Sequence, residues 1–208
     1  MSDDLIEEIK EDIRNDQLVA FWNEYGNIII GAIIGIVLMT VGYLFWHSHQ
    51  EQKLLDQTLV YEKNLELDPS KAEKADYSSL IKDGSMGYQI LGSFEQARLS
   101  SSTKEAEDLL KSMANNTSYD SFYRETAALQ AIMRKFDSTN GAVLLEDLDP
   151  LVNKTSPLQA AALELQAFAY LKLRQTKKAS EVFISVAKHP QAPQSMRVRA
   201  QAMLETIN

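Results

Sequence analysis

From Ile28 to Trp46 the chain reads IIIGAIIGIVLMTVGYLFW, 19 residues without a charge. At about 1.5 Å per residue such a helix is about 28 Å long, close to the bilayer's hydrocarbon core of about 30 Å. This run constrains the fold most, because it must be shielded from water by a protein core or by lipid. Trp22 and Tyr25 flank one end and Tyr43 and Trp46 the other, where amphipathic rings suit the two headgroup layers. A buried core helix is one rival reading, but core helices seldom run so far without a polar residue. A cleaved signal peptide is the other. It fits badly, because the preceding segment is acidic and Leu44 to His49 offer no small-residue cleavage site. We expect an uncleaved single-pass anchor over residues 25–48.

Charge does not orient the anchor. Lys10 and Arg14 precede it and Lys53 and Lys63 follow it, a tie under the positive-inside rule. Gly31, Gly35 and Gly42 share roughly one helix face, where a second membrane helix could approach closely. That helix would belong to a membrane partner or to a second copy, giving a homo-oligomer. Residues 1–24 form an acidic tail of net charge −6, with Leu5, Ile6, Ile9 and Ile13 at helical spacing. Such acidity argues against adsorption to anionic lipid.

The remainder reads as all-α. Strand signals are nearly absent, and helical periodicity is broken at Leu67 to Pro69, Lys82 to Gly84, Asn115 to Ser118, Ser138 to Gly141, Lys154 to Pro157 and His189 to Pro193. We expect a helical linker over 49–85 continuing from the anchor, then a TPR-like repeat domain over 86–208, an α-solenoid of helical hairpins. The clearest copy has Leu163, Ala167 and Tyr170 on one helix and Ala179, Phe183 and Val186 on the next. Small residues mark the crossing and large ones fill the space beside it. The frame also fits Ile90, Phe94 and Ala97 followed by Ala106, Leu110 and Met113. A weaker copy has Thr126, Gln130 and Met133 followed by Ala142, with Glu146 and Asp149 where apolar residues belong. The alanines at 106, 142 and 179 are 36 and 37 residues apart, near the repeat's period of about 34. A last helix, about Gln194 to Ile207, would cap the stack.

Several features carry a family resemblance. The tail has Asp3-x-x-x-Glu7-x-x-x-Glu11-Asp12-x-Arg14, followed by Phe21-Trp22-x-x-Tyr25-Gly26-Asn27. The span ends in Tyr43-x-x-Trp46-His47-Ser48-His49-Gln50. The domain opens with Met86-Gly87-Tyr88 and contains Leu91-Gly-Ser-Phe-Glu-Gln-Ala-Arg98. The layout resembles the bacterial inner-membrane tetratricopeptide proteins that are ancillary subunits of the SecYEG translocon, in their alphaproteobacterial branch. The resemblance implies a cytoplasmic N-terminus and a periplasmic C-terminal domain. It also implies a chaperone-like scaffold role at the translocon exit, with translocon subunits, periplasmic chaperones and client proteins as partners. A membrane-anchored scaffold for envelope assembly or cell division, without translocon contact, is the alternative.

Chemistry is hard to find. There is no cysteine, which removes thiolate catalysis and Cys-ligated metals. The net charge of −8 argues against a nucleic-acid partner. His47 and His49 point about 200° apart on a helix and cannot share a metal. His189 sits at a helix C-terminus, where a cation is favoured. Glu146-Asp147-x-Asp149 lacks calcium-loop spacing and reads as a solvated helix end. No phosphate loop or nucleophile elbow occurs. We expect no enzyme, no metal and no cofactor, and a function carried by surfaces. The concave face of a helix-pair stack is lined by the first helix of each pair. In this frame it presents Leu91, Glu95 and Arg98, then Ala127, Ala131 and Arg134, then Glu164, Phe168 and Leu171.

Overall fold

In the computed structural model the backbone is described for residues 2–67 and 75–207, with side chains from Val19 onward apart from Ala20. The tail's apolar positions, Leu5, Ile6, Ile9 and Ile13, lie outside the described side chains, and Asp68 and Pro69 lie outside the described residues. The described residues are helical, with no strand among them: α1 (Ser2–Leu65), α2 (Ser78–Asp83), α3 (Met86–Leu99), α4 (Thr103–Asn115), α5 (Ser121–Lys135), α6 (Gly141–Val152), α7 (Gln159–Lys172), α8 (Thr176–Lys188) and α9 (Gln194–Ile207). Two compact units divide the chain, Met1–Asp56 and Gln57–Asn208.

The first unit is the bulk of α1. Its apolar window is long enough to cross a membrane, and none of it is buried. Ile28, Leu38, Met39 and Phe45 are 66–77% exposed. A core helix would bury such residues, so the first rival reading fails here. The Thr40 hydroxyl donates to the Ile36 carbonyl at 2.8 Å. It is therefore satisfied inside its own helix, as a hydrocarbon environment requires.

In the second unit local chemistry sets the helix starts. Ser102 accepts from the Glu105 N–H at 3.3 Å, Asp120 from Phe122 at 2.8 Å and Asn140 from Ala142 at 2.8 Å. Each satisfies a backbone donor that the first turn leaves orphaned. Four apolar clusters then follow in chain order. Tyr77 and Leu80 pack with Val60, Tyr61 and Tyr88. Ile90, Ala97, Ala106, Leu110 and Met113 pack with Ala127 and Ala131. Leu129, Ile132, Leu144 and Leu148 pack with Ala162 and Ala169. Ala167, Phe183 and Val186 pack with Ala200 of α9, which covers the last pair.

Two expectations change. The linker expected over 49–85 supplies core, because the second unit begins at Gln57 and includes α2. Asn64 clasps the backbone of Asp76, donating to its carbonyl at 2.9 Å and accepting its N–H at 3.1 Å. A Cβ on Gly92 of α3 would come within 3.3 Å of Leu80, so that glycine admits α2. The middle repeat keeps its core in a different register. Ala142 is exposed, and Gly141 is the buried residue instead, together with Leu144 and Leu148. A Cβ on Gly141 would lie 2.7 Å from Leu173 Cγ and 2.8 Å from the Ala169 carbonyl. Glu146 and Asp149 therefore face solvent rather than occupy apolar positions.

Candidate functional site

Two repeated devices align the first helices α3, α5 and α7. At their N-terminal ends each is tied to the loop after its own pair. Tyr119 Oη donates to Gln89 Oε1 at 3.4 Å, and His189 Nε2 meets Gln159 Oε1 at 3.2 Å. The middle pair uses Lys154 Nζ and Glu125 Oε1 at 2.5 Å instead. The helix partners 89, 125 and 159 are 36 and 34 residues apart, and the loop partners 119, 154 and 189 are 35 and 35 apart. At the C-terminal ends a cation of one first helix donates to carbonyls at, or just past, the end of the preceding first helix. Arg134 reaches the Ala97 and Arg98 carbonyls, and Lys172 those of Phe136 and Asp137. Cations there satisfy orphan carbonyls and oppose the negative end of the dipole. The three helices thus run side by side in one direction.

The expected binding face divides on inspection. Leu91 is 45% exposed, and Arg98 is exposed and pairs with Glu95 at 2.7 Å. Hydrogen bonding to Glu95 raises the Arg98 pKa further. Ala127 and Ala131 are a correction. They are 0% and 3% exposed, packed against Ala106, Leu110 and Met113, and present no surface. Arg134 is committed to the carbonyls of α3. Glu164 is held by Arg199 of α9 through two contacts at 3.0 and 2.9 Å. Phe168 packs edge to face on Phe183, centroids 5.3 Å apart, and Leu171 is half-buried beside it.

What α5 does expose is the stripe expected as its core. Gln130 is exposed, Met133 is 56% exposed and Phe122 45%. Thr126, Leu129, Gln130, Met133 and Arg134 line an open groove of about 520 Å³. The signal that could have found it was available. The rule that small residues mark helix crossings, applied to Ala167 and Ala179, assigns Ala127 and Ala131 to the core as well.

Charge is concentrated behind that groove. Lys135 is nearly buried and meets Asp147 at 2.7 Å and Glu107 at 3.5 Å, while Lys111 meets Glu107 at 2.7 Å. Asp147, expected as part of a solvated helix end, instead ties α6 to α5. The Lys111 hydrogen bond holds the Glu107 carboxyl below the usual glutamate range, with Lys135 adding to it. His189 stands at the C-terminal cap of α8, and its ring also ties that end to α7. Its Nδ1 faces the Gln191 N–H at 3.2 Å and its Nε2 faces Gln159 Oε1. Among the described residues no group of three or more His, Asp or Glu is placed to hold a metal ion.

Along α1, a Cβ added at Gly31, Gly35 or Gly42 would meet nothing within 4 Å. That face is open. Parallel first helices, braced by second helices and covered by α9, define a helical-hairpin repeat protein with one helix of membrane-crossing length and composition. Residues 19–148 match the Tetratricopeptide repeat-like domain family, and the chain belongs to that family. The match takes in the apolar part of α1 as well as the first repeats. The chain is also similar to a protein of Aggregatibacter actinomycetemcomitans described as an ancillary SecYEG translocon subunit, 27% identical over 161 residues that cover 74% of each chain. Neither description names a reaction. No solved structure matches.

Proposed function

We propose that this protein is a non-enzymatic scaffold of the bacterial inner membrane, with its tail in the cytoplasm and its repeat domain in the periplasm. There it binds proteins at the exit of the Sec translocon and gives newly exported envelope proteins chaperone-like protection. One observation carries the binding part: α3, α5 and α7 run parallel and leave an amphipathic face of Leu91, Phe122, Gln130 and Met133 in solvent. Exposed methionine and aromatic side chains with few fixed charges suit varied apolar segments. The relative's description supports the translocon contact, and the open glycine face of α1 is the surface for it.

Photo-crosslinkers at positions 31 and 35 are expected to trap Sec-channel subunits. Capture of a second copy alone would overturn the translocon contact and favour a self-associating scaffold. A crosslinker at position 133 is expected to trap exported proteins in transit. A reporter fused after Asn208 is expected to be active only in the periplasm, and cytoplasmic activity would reverse the orientation.

A further inference from the structure

The side of α5 opposite the groove carries a second pocket of about 350 Å³, lined by Asn115, Ser121, Arg124, Glu125, Leu151 and Lys154 among others. Glu125 is spent on Lys154, at 2.5 Å. Arg124 remains. Its Nε is buried without a partner, and among the described residues no hydrogen bond or ion pair reaches its guanidinium. Arg124 as a whole is half-buried, and a guanidinium nitrogen shut off from water without an acceptor is costly. The tie itself does not demand a cation at Lys154, because the equivalent ties of the outer repeats, Gln89 with Tyr119 and Gln159 with His189, carry no ion pair.

We propose that this pocket binds a glutamate side chain of an acidic peptide segment on a partner protein. Arg124 is the fork that grips the carboxylate with two N–H donors. The Ser121 hydroxyl and the Asn115 amide stand beside it as further donors. The pocket's charge supports the choice. Arg124 and Lys154 against Glu125 leave one positive charge, which matches a carboxylate and would underpay a phosphate dianion set beside Glu125. The apolar floor at Leu151 suits the methylenes of a glutamate. This surface lies on the other side of α5 from Gln130 and Met133, so its occupant need not compete with a segment held in the groove.

The test uses the full chain in detergent micelles, reading the Ser121 backbone amide by NMR. The probes are acetyl-Gly-Glu-Gly-amide, its glutamine counterpart and inorganic phosphate. The glutamate peptide is expected to give a saturable shift, with binding at least tenfold tighter than either other probe. Arg124→Gln should abolish it, and Arg124→Lys, which keeps the charge without the fork, should weaken it several-fold. Lys177→Gln, exposed on α8 and away from the pocket, should leave it unchanged. No saturable shift, equal binding of the glutamine peptide, or preference for phosphate would each overturn the proposal.

Discussion

The middle helical pair and the last one solve the same packing problem with different chemistry. In α7 and α8 the crossing is alanine on alanine, Phe183 fills the space beside it, and the tie to the following loop is Gln159 with His189. In α5 and α6 leucines fill the space and the tie is a lysine–glutamate pair, while Gly141 of α6 lies close against Ala169 and Leu173 at the end of α7. The middle pair also houses Lys135 between Glu107 and Asp147. A pair that looks degenerate by residue type still shares an apolar core of Leu129, Ile132, Leu144 and Leu148, although α6 packs more closely on α7 than on α5. Geometry is what repeats along the stack, and composition is free wherever a different contact holds the same spacing.

The largest effect that could break this comparison comes from the two cores. Phe183 and Leu148 are both fully buried. Phe183→Ala should cost about 3–5 kcal/mol and Leu148→Ala about 2–5 kcal/mol, read as the urea midpoint of the full chain in micelles by circular dichroism. A loss below about 1 kcal/mol for Leu148→Ala would mean that the middle pair is only loosely packed after all. Next in size is the register. Gly141→Val drives a side chain into Leu173 and the Ala169 carbonyl and should cost about 1–3 kcal/mol. Ala142→Val, on the exposed side, should stay within about 0.5 kcal/mol. The opposite ranking would restore the alanine frame.

Smaller still is the tie. Lys154→Met leaves the buried Glu125 carboxylate unpaired and should cost about 1 kcal/mol. Glu125→Gln combined with Lys154→Tyr rebuilds a neutral tie like the outer ones and should recover most of that loss. Failure of the double variant to recover would show that the pair's charge matters to the fold itself. Its success would leave binding, rather than packing, as the reason for charge at this position.

The helices themselves were legible from the breaks between them, and the expected elements from Tyr88 onward lie close to α3 through α9. The long apolar helix was legible because 19 uncharged residues leave few alternatives. Three things were not legible, each for a physical reason. The six-residue α2 is too short for periodicity to reveal, and its place comes from long-range bonds to Asn64 and Gln96. The register of α5 was misread because Thr126, Gln130 and Met133 share a helical spacing with each other as surely as Ala127 and Ala131 do. Periodicity marks faces without saying which one is inside. The charged network was invisible because Glu107, Lys135 and Asp147 come from three different helices, and only the fold brings them together.

The smallest expected effect is a pH dependence that belongs to the middle of the stack. Glu107 faces Lys111 on its own helix and Lys135 from α5, with Asp147 of α6 on the far side of Lys135. Its carboxyl titrates lower in the fold than the ordinary value of 4.5, first because Lys111 donates to it and then because Lys135 lies near, against the opposing effect of burial. As pH falls the unfolded chain takes up this proton before the folded one does. The stabilisation is therefore present above about pH 4.5 and is lost as pH drops through the folded value. Glu107→Gln should reduce stability at neutral pH and flatten its decline on acidification. Measured as the urea midpoint between neutral and acidic pH, equal slopes for the variant and the natural chain would remove Glu107 from the network. Salt separates the two parts of the effect. Lys111 and its bond are half exposed and should be screened, whereas the nearly buried Lys135 should keep its share. A slope that vanishes entirely in high salt would place the whole effect on the surface pair and leave the middle repeat no more pH-sensitive than its neighbours.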